Sequence, residues 1–275
     1  MSNFISYAQN FEDVMLHRAL GHVKDGFYID VGADDPVELS VTKAFYDRGW
    51  RGMNIEPVAS KHAKFEQTRQ RDINLHLLAG STDGESRFFE FVGSPLSTMD
   101  EAIARQHAAT GRWEMKEYMV PATTVDKLCA KHQVGGIHFL KVDVEGAEKI
   151  VLEGMTFDKY RPWIVVVEST IPLSAVENHD TWEPLLLGRR YSCVYADGLN
   201  RFYIAAEHPE LKTSFAYPPS IHDNFICNRE VKLQEQIAAL KAQIRKGPFR
   251  LRQLVRNPRA FVRETFGLQG GNKQR

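Results

Sequence analysis

Short apolar runs, each ending in glycine, proline or an acid, alternate along the chain with segments whose apolar positions recur every three or four residues. Phe27–Val31, Arg51–Glu56, Ile73–Ala79, Ile137–Val142 and Trp163–Val167 read as buried strands, since continuous runs of β-branched and aromatic residues suit a sheet covered on both faces. Between them lie predicted helices at Leu39–Arg48, stopped by Gly49, at Ser60–Arg71, at Thr123–His132, and from Glu148 through Ile150, Val151 and Leu152 to Gly154. Ahead of the first strand, Phe11, Val14, Met15 and Leu20 share one helical face, with Asn10 as the expected N-cap. Strand and helix in alternation imply a parallel sheet. Tyr191–Tyr195 and Phe202–Ala205, joined through Asp197-Gly198, close it as an antiparallel hairpin.

Two stretches depart from this pattern. Ser86–Phe91 reads as a further strand, and Val92–Tyr118 as a long, partly helical surface excursion. Its Ser97, Thr98, Arg105, Trp113 and Tyr118 suit either a carbohydrate-gripping loop or a packed loop with incidental polar residues. The predicted domain therefore spans residues 1–229, with 1–25 as a covering helical segment, and 230–275 is a tail of different character. There Leu233, Ile237, Leu240 and Ile244 follow a four-three-four spacing, giving a short amphipathic helix over 231–246 through which the chain could oligomerise.

Composition changes this picture in the tail alone. The 35 basic and 35 acidic residues cancel, which argues against a nucleic-acid binder. The cancellation hides segregation, because Lys241–Arg275 holds ten basic residues against Glu264. Phe249, Leu251, Leu254, Phe261 and Phe266 are interleaved with those arginines, a mixture that fits a membrane surface, an acidic protein partner or a solvated extension. Cys129, Cys193 and Cys227 form no ligand or disulfide pattern, and no apolar leader or spanning segment is evident. A cytoplasmic protein is expected, at most peripheral at the inner face of the membrane.

The chemistry centres on Gly26–Pro36, GFYIDVGADDP, where a strand breaks into a tight polar turn. In doubly wound sheets ligands sit at the carboxyl ends of strands. A nicotinamide enzyme would need GxGxxG here to admit a pyrophosphate, but Gly32 is followed by Ala33, Asp34 and Asp35. Carboxylates repel phosphate and suit a cationic, hydroxyl-rich ligand such as S-adenosylmethionine. Asp30 and Asp34 would face its amino-acid end, while Glu56, before Pro57 and at the end of the second strand, would grip its ribose. Ala79 ends the third strand on the same side.

DVGA, then IEP, then LKVDVEGAE, in that order, resemble the FkbM family of S-adenosylmethionine-dependent methyltransferases, and YAQNFEDVML is similar to the sequence often found ahead of that family's first strand. The likeness runs from about Tyr7 to Glu168, and it departs at Asp34, where many relatives carry Asn. It implies a Rossmann-like class I methyltransferase fold, with a mostly parallel seven-stranded sheet closed by a C-terminal hairpin, and O-methylation of a sugar or polysaccharide hydroxyl. Non-sugar metabolites and a non-catalytic, cofactor-binding scaffold are the alternatives. The cofactor site expected is Asp30, Gly32, Ala33, Asp34, Glu56, Pro57 and Ala79.

A sugar hydroxyl is barely ionised at neutral pH, so transfer needs a base, or a metal that acidifies the hydroxyl. Asp143, Glu145 and Glu168, at the ends of the fourth and fifth core strands, are the catalytic candidates, and their carboxylates could also hold Mg²⁺. Glu148 is expected to face the dipole of its own helix, Lys141 to pair with a neighbouring acid, and His107 and His222 to be surface histidines.

Overall fold

The computed structural model describes residues 4–246. Its central sheet comprises β1 (Phe27–Val31), β2 (Arg51–Ile55), β3 (Ile73–Leu75), β4 (Phe139–Val142), β5 (Ile164–Glu168), β6 (Tyr191–Ala196) and β7 (Asn200–Ala205), in the spatial order β6-β7-β5-β4-β1-β2-β3. The pairs from β5 across to β3 are parallel, whereas β7 runs antiparallel to both β5 and β6. The chain is thus an α/β protein, and its sheet order reverses direction between β1 and β4, where such folds open a crevice.

Both faces of the sheet are covered because both carry apolar side chains. On one face Ile29, Met53, Leu140 and Val165 pack with Leu128, Val151 and Leu186 of helices Val125–Lys131, Glu148–Glu153 and Glu183–Gly188. On the other, Tyr28, Phe139, Val166 and Phe202 meet Met15, Leu16 and Leu20 of helix Glu12–Leu20, together with Phe45 and Phe215. A second, three-stranded sheet of Leu78–Ala79, Gly84–Phe91 and Met115–Thr123 lies beside the helix Glu101–Ala109.

Several expected boundaries move. The third run divides, Ile73–Leu75 joining the central sheet and Leu78–Ala79 the second one. Met115–Thr123 is a strand paired antiparallel with Gly84–Phe91, so the excursion ends earlier than expected and the next helix begins at Val125. The expected helix Leu39–Arg48 is confined to Lys43–Asp47. Asn10 does not cap the first helix: Phe11 occupies that position in a left-handed conformation (φ 64°). The turn is held by buried acids instead, Glu12 accepting from the Asn10 amide (2.8 Å) and Asp13 from the Tyr7 amide and the Ser6 hydroxyl (both 2.7 Å).

The chain divides into Met1–Phe225 and Ile226–Arg275. In the second unit Asn228–Lys246 is helical, and Leu233, Ile237 and Leu240 are exposed along it. Phe249, Leu251, Leu254, Phe261 and Phe266, on which the membrane-surface expectation rests, lie outside the described residues. Among the described residues no helix is long and apolar enough to cross a membrane.

Candidate active site

The crevice begins where β1 ends. Gly32 has φ +77°, and a Cβ there would stand 1.7 Å from the carbonyl oxygen of Asp143. The turn after β1 therefore runs against the backbone beyond β4 as only glycine allows. The Asp143 amide donates to the Val31 carbonyl (3.0 Å), which fixes the junction, and the Gly32 and Ala33 amides both reach the Ile55 carbonyl at the end of β2.

Glu56 follows β2. One of its carboxylate oxygens accepts from the Val58 amide (2.7 Å) and the other from the Asp34 amide (2.9 Å). Burial raises its pKa to about 7, against the pull of Lys61 and these two amides. The Asp34 carboxylate is bound by Lys61, whose ammonium also donates to the Ser94 carbonyl (2.9 Å). Asp35 accepts from the Val37 and Glu38 amides and from Lys64. Arg69, fully buried, gives two hydrogen bonds to the Pro36 carbonyl (3.0 and 2.6 Å) and one to the Ser40 hydroxyl (3.0 Å), clamping the loop beyond the turn.

Across the junction, parallel register sets Asp30 on β1 beside Lys141 on β4. Lys141 stands 3.5 Å from Asp30 and 3.1 Å from Asp143; burial opposes its charge, but these two acids hold its pKa well above the usual lysine value. Lys141 thus has the ion-pairing role expected of it. Asp30 is 1% exposed and accepts from the Thr42 hydroxyl, so its carboxylate serves the strand pair more than the open cavity.

Beyond Asp143, Glu145 (φ 55°) and Gly146 (φ 97°) turn the chain sharply, and the Thr98 hydroxyl donates to the Glu145 carbonyl (2.8 Å). Oxygens of Asp143, Glu145 and Glu168 lie within 4.8 Å of one another. Burial and then Asp143 push the Glu145 carboxyl up to about 8, and the same two causes drive Glu168 far above the carboxylate range. Glu148 begins its helix and accepts from the Gly146 (3.0 Å) and Val144 (3.3 Å) amides, closing the turn rather than facing the cavity.

One cavity of about 280 Å³ runs between these ends. Asp30, Gly32, Ala33, Asp34, Glu56, Pro57 and Ala79 line it, as do Asp143, Glu145 and Glu168. Of the excursion residues singled out by sequence, Ser97 lines it and Thr98 stands behind Glu145. The others lie elsewhere: Arg105 pairs with Glu101, Trp113 packs on the cluster of Phe89 and Phe91, and the Tyr118 hydroxyl donates to Glu90. Trp113 and Tyr118 therefore bring no ring to the lining of this cavity, as the packed-loop alternative has it. His222 is exposed, on a short turn. His107 is buried against the Phe91 ring edge, contrary to its expected surface position.

Other lining residues escaped the sequence reading. Glu12 reaches the cavity from the first helix while accepting from the Asn200 side-chain Nδ2 (2.8 Å), and Leu78 and Phe88 come from the second sheet. Leu39 and Leu173, 56% and 62% exposed, stand at its mouth. Ten non-glycine described residues have positive φ, and four of them, Asp34, Leu39, Glu145 and Leu173, line this cavity. Backbone strain of this kind gathers at functional sites.

A family model described as the methyltransferase FkbM domain matches residues 30–193, from the strand that opens the crevice to the hairpin that closes the sheet. The chain belongs to the FkbM methyltransferase family. A crystal structure of methyltransferase FkbM from Methylobacillus flagellatus KT is similar at 12% identity, with a TM-score of 0.40 over 68% of this chain. The alignment spans 47% of that protein. No curated protein matches the chain. Both sequence motifs that define the rims of the crevice between β1 and β4, DVGA and DVEG, fall inside the matched residues.

Proposed function

We propose that the chain is an S-adenosylmethionine-dependent O-methyltransferase acting on a hydroxyl of a saccharide, on a sheet of the class I methyltransferase type. The reading is carried by one cavity that joins the amide-satisfied carboxylate of Glu56 to a group of three crowded ones. The residues fit this donor. Each Glu56 oxygen accepts one backbone amide and keeps a lone pair for a hydroxyl. Ile55, Pro57, Leu78, Ala79 and Phe88 supply an apolar wall for a flat ring. Gly32 and Ala33 line the same end of the cavity with little side chain of their own. When bound, S-adenosylmethionine supplies a methyl group on a cationic sulfur.

The chain's own part at the other end is proton handling and orientation. Glu145, held near neutrality, can take the proton of a hydroxyl, and Asp143 and Glu168 accept hydrogen bonds that aim the acceptor oxygen. A hydroxyl-rich acceptor suits a rim so rich in acceptors and so poor in donors. The apolar mouth made by Leu39 and Leu173 favours a second reading, an acceptor with an apolar portion, such as a non-sugar metabolite.

Calorimetry with S-adenosylmethionine tests the donor end, and methylation assays with nucleotide sugars, free oligosaccharides and apolar alcohols sort the acceptors. Absence of donor binding would overturn the enzymatic reading; turnover with apolar alcohols alone would overturn the saccharide.

A further inference from the structure

Once ionised, the acids beyond β4 and β5 carry more negative charge than their surroundings balance. Lys141 is the cation beside them, and it is divided between Asp143 and Asp30. Among the described residues neither Glu145 nor Glu168 has an ion-pair partner. Glu168 adds a separate observation. It is 9% exposed, its Oε2 is buried with no hydrogen-bond partner, and it lines the cavity. Its cross-strand neighbour Asn200 carries donors, yet these are committed to Glu12 and Asp197. A buried carboxylate oxygen without a donor is costly unless some other group meets it.

A proton shared with Asp143 is one such group, and a metal ion is the other. Three features favour the metal. The donor atoms come from three side chains, so a proton shared between Asp143 and Glu168 leaves Glu145 to be met by some other group. All are oxygens, the set preferred by hard divalent cations. They also open on one side to the cavity, which leaves further coordination positions for water and an acceptor oxygen. Glu145 is presented from a strained turn anchored by Thr98, so its carboxylate is aimed by the backbone.

We propose that Asp143, Glu145 and Glu168 form a binding site for one hard divalent cation of the Mg²⁺ or Mn²⁺ type. The site itself stands on these three side chains; only its purpose, lowering the pKa of an acceptor hydroxyl in place of proton uptake by Glu145, rests on the methyl-transfer reading.

The test is titration of the full chain with Mn²⁺, followed by electron paramagnetic resonance, without donor or acceptor. One Mn²⁺ should bind per chain and be displaced by Mg²⁺, and both Glu168→Gln and Asp143→Asn should weaken binding at least tenfold. Glu145→Gln, on a partly exposed turn, should do the same and covers the case in which Glu168→Gln does not fold. No Mn²⁺ binding by the wild type, or equal binding by the folded variants, would overturn the site in favour of a shared proton. Donor calorimetry on the metal-free protein separates the two claims. Donor binding without Mn²⁺ binding sinks the cation alone, whereas Mn²⁺ binding without donor binding sinks the methyltransferase reading and leaves the cation.

Discussion

The two ends of the cavity are furnished with the same side chain under opposite conditions. At the β1–β2 end three carboxylates beyond the strands are answered by donors: Glu56 by two amides, Asp34 by Lys61, Asp35 by two amides and Lys64. At the β4–β5 end Asp143, Glu145 and Glu168 crowd within 4.8 Å with a half share in Lys141. A satisfied carboxylate is a fixed acceptor, good for holding a ligand in one pose. A crowded one changes its proton or cation occupancy as its neighbours change, which is what a reacting centre requires. Under the proposed function, that difference divides binding from chemistry along one short cavity.

The junction between the ends offers the harshest test. Gly32→Ala forces a Cβ into the Asp143 carbonyl at positive φ and should cost at least about 4 kcal/mol in urea unfolding. Gly49→Ala, equally left-handed (φ 94°) but facing open space, should cost about 1 kcal/mol. Equal costs would show that the junction is not tight. Next in size, Asp143→Asn and Glu168→Gln should lower kcat by about 10²- to 10⁴-fold with little change in donor affinity. Glu56→Ala should do the reverse, weakening donor binding about tenfold or more by calorimetry while the residual turnover at saturating donor stays within a few-fold. An exchange of these two phenotypes would break the comparison outright.

Smaller effects sharpen it. The Glu56 and Glu12 carboxyls are raised to about 7 and Asp13 to about 6, chiefly by burial. Their ordinary values lie near 4, so the fold favours the protonated forms. That stabilising contribution is complete below about pH 4 and is lost as pH climbs through 6 to 7. The melting temperature of the ligand-free protein should therefore fall between pH 5 and pH 8, and saturating donor should flatten the fall by meeting ionised Glu56. A rise over that interval would show that these acids are not buried in solution. Last, Thr98→Val removes the donor to the Glu145 carbonyl and should reduce kcat by a few-fold, leaving donor affinity unchanged.

Much of this was legible in the chain because strand ends announce themselves. A run such as WIVVV cannot continue into Glu168 without a reason, and DVGADD after a strand carries its own ligand chemistry. What was hidden arrives from far along the sequence. Arg69 and Glu12 look like ordinary helix charges until the fold buries them at 0% and 3% exposure. Met115–Thr123 is hard to read as a strand because apolar Met115 and Met119 are exposed beside Lys116 and Glu117, blurring the alternation, and Pro121 interrupts it; pairing with Gly84–Phe91 overrides weak local preference. His107 was placed on the surface for want of a periodic signal, yet its helix turns it onto Phe91. The aromatic residues of the excursion were assigned by composition, and composition does not say which way a ring points.

The contact between Gly32 and the Asp143 carbonyl also bears on how such an enzyme can be altered. The spacing between donor end and reactive end is written in main chain, with no side chain available to loosen or lengthen it. Residues 92–114 and 169–178 hang outside that spacing while still bordering the cavity through Leu96, Ser97, Met99, Thr170 and Leu173. An engineer seeking a new acceptor would vary those two segments in length and residue around Thr98, which holds the Glu145 turn, and leave the junction alone.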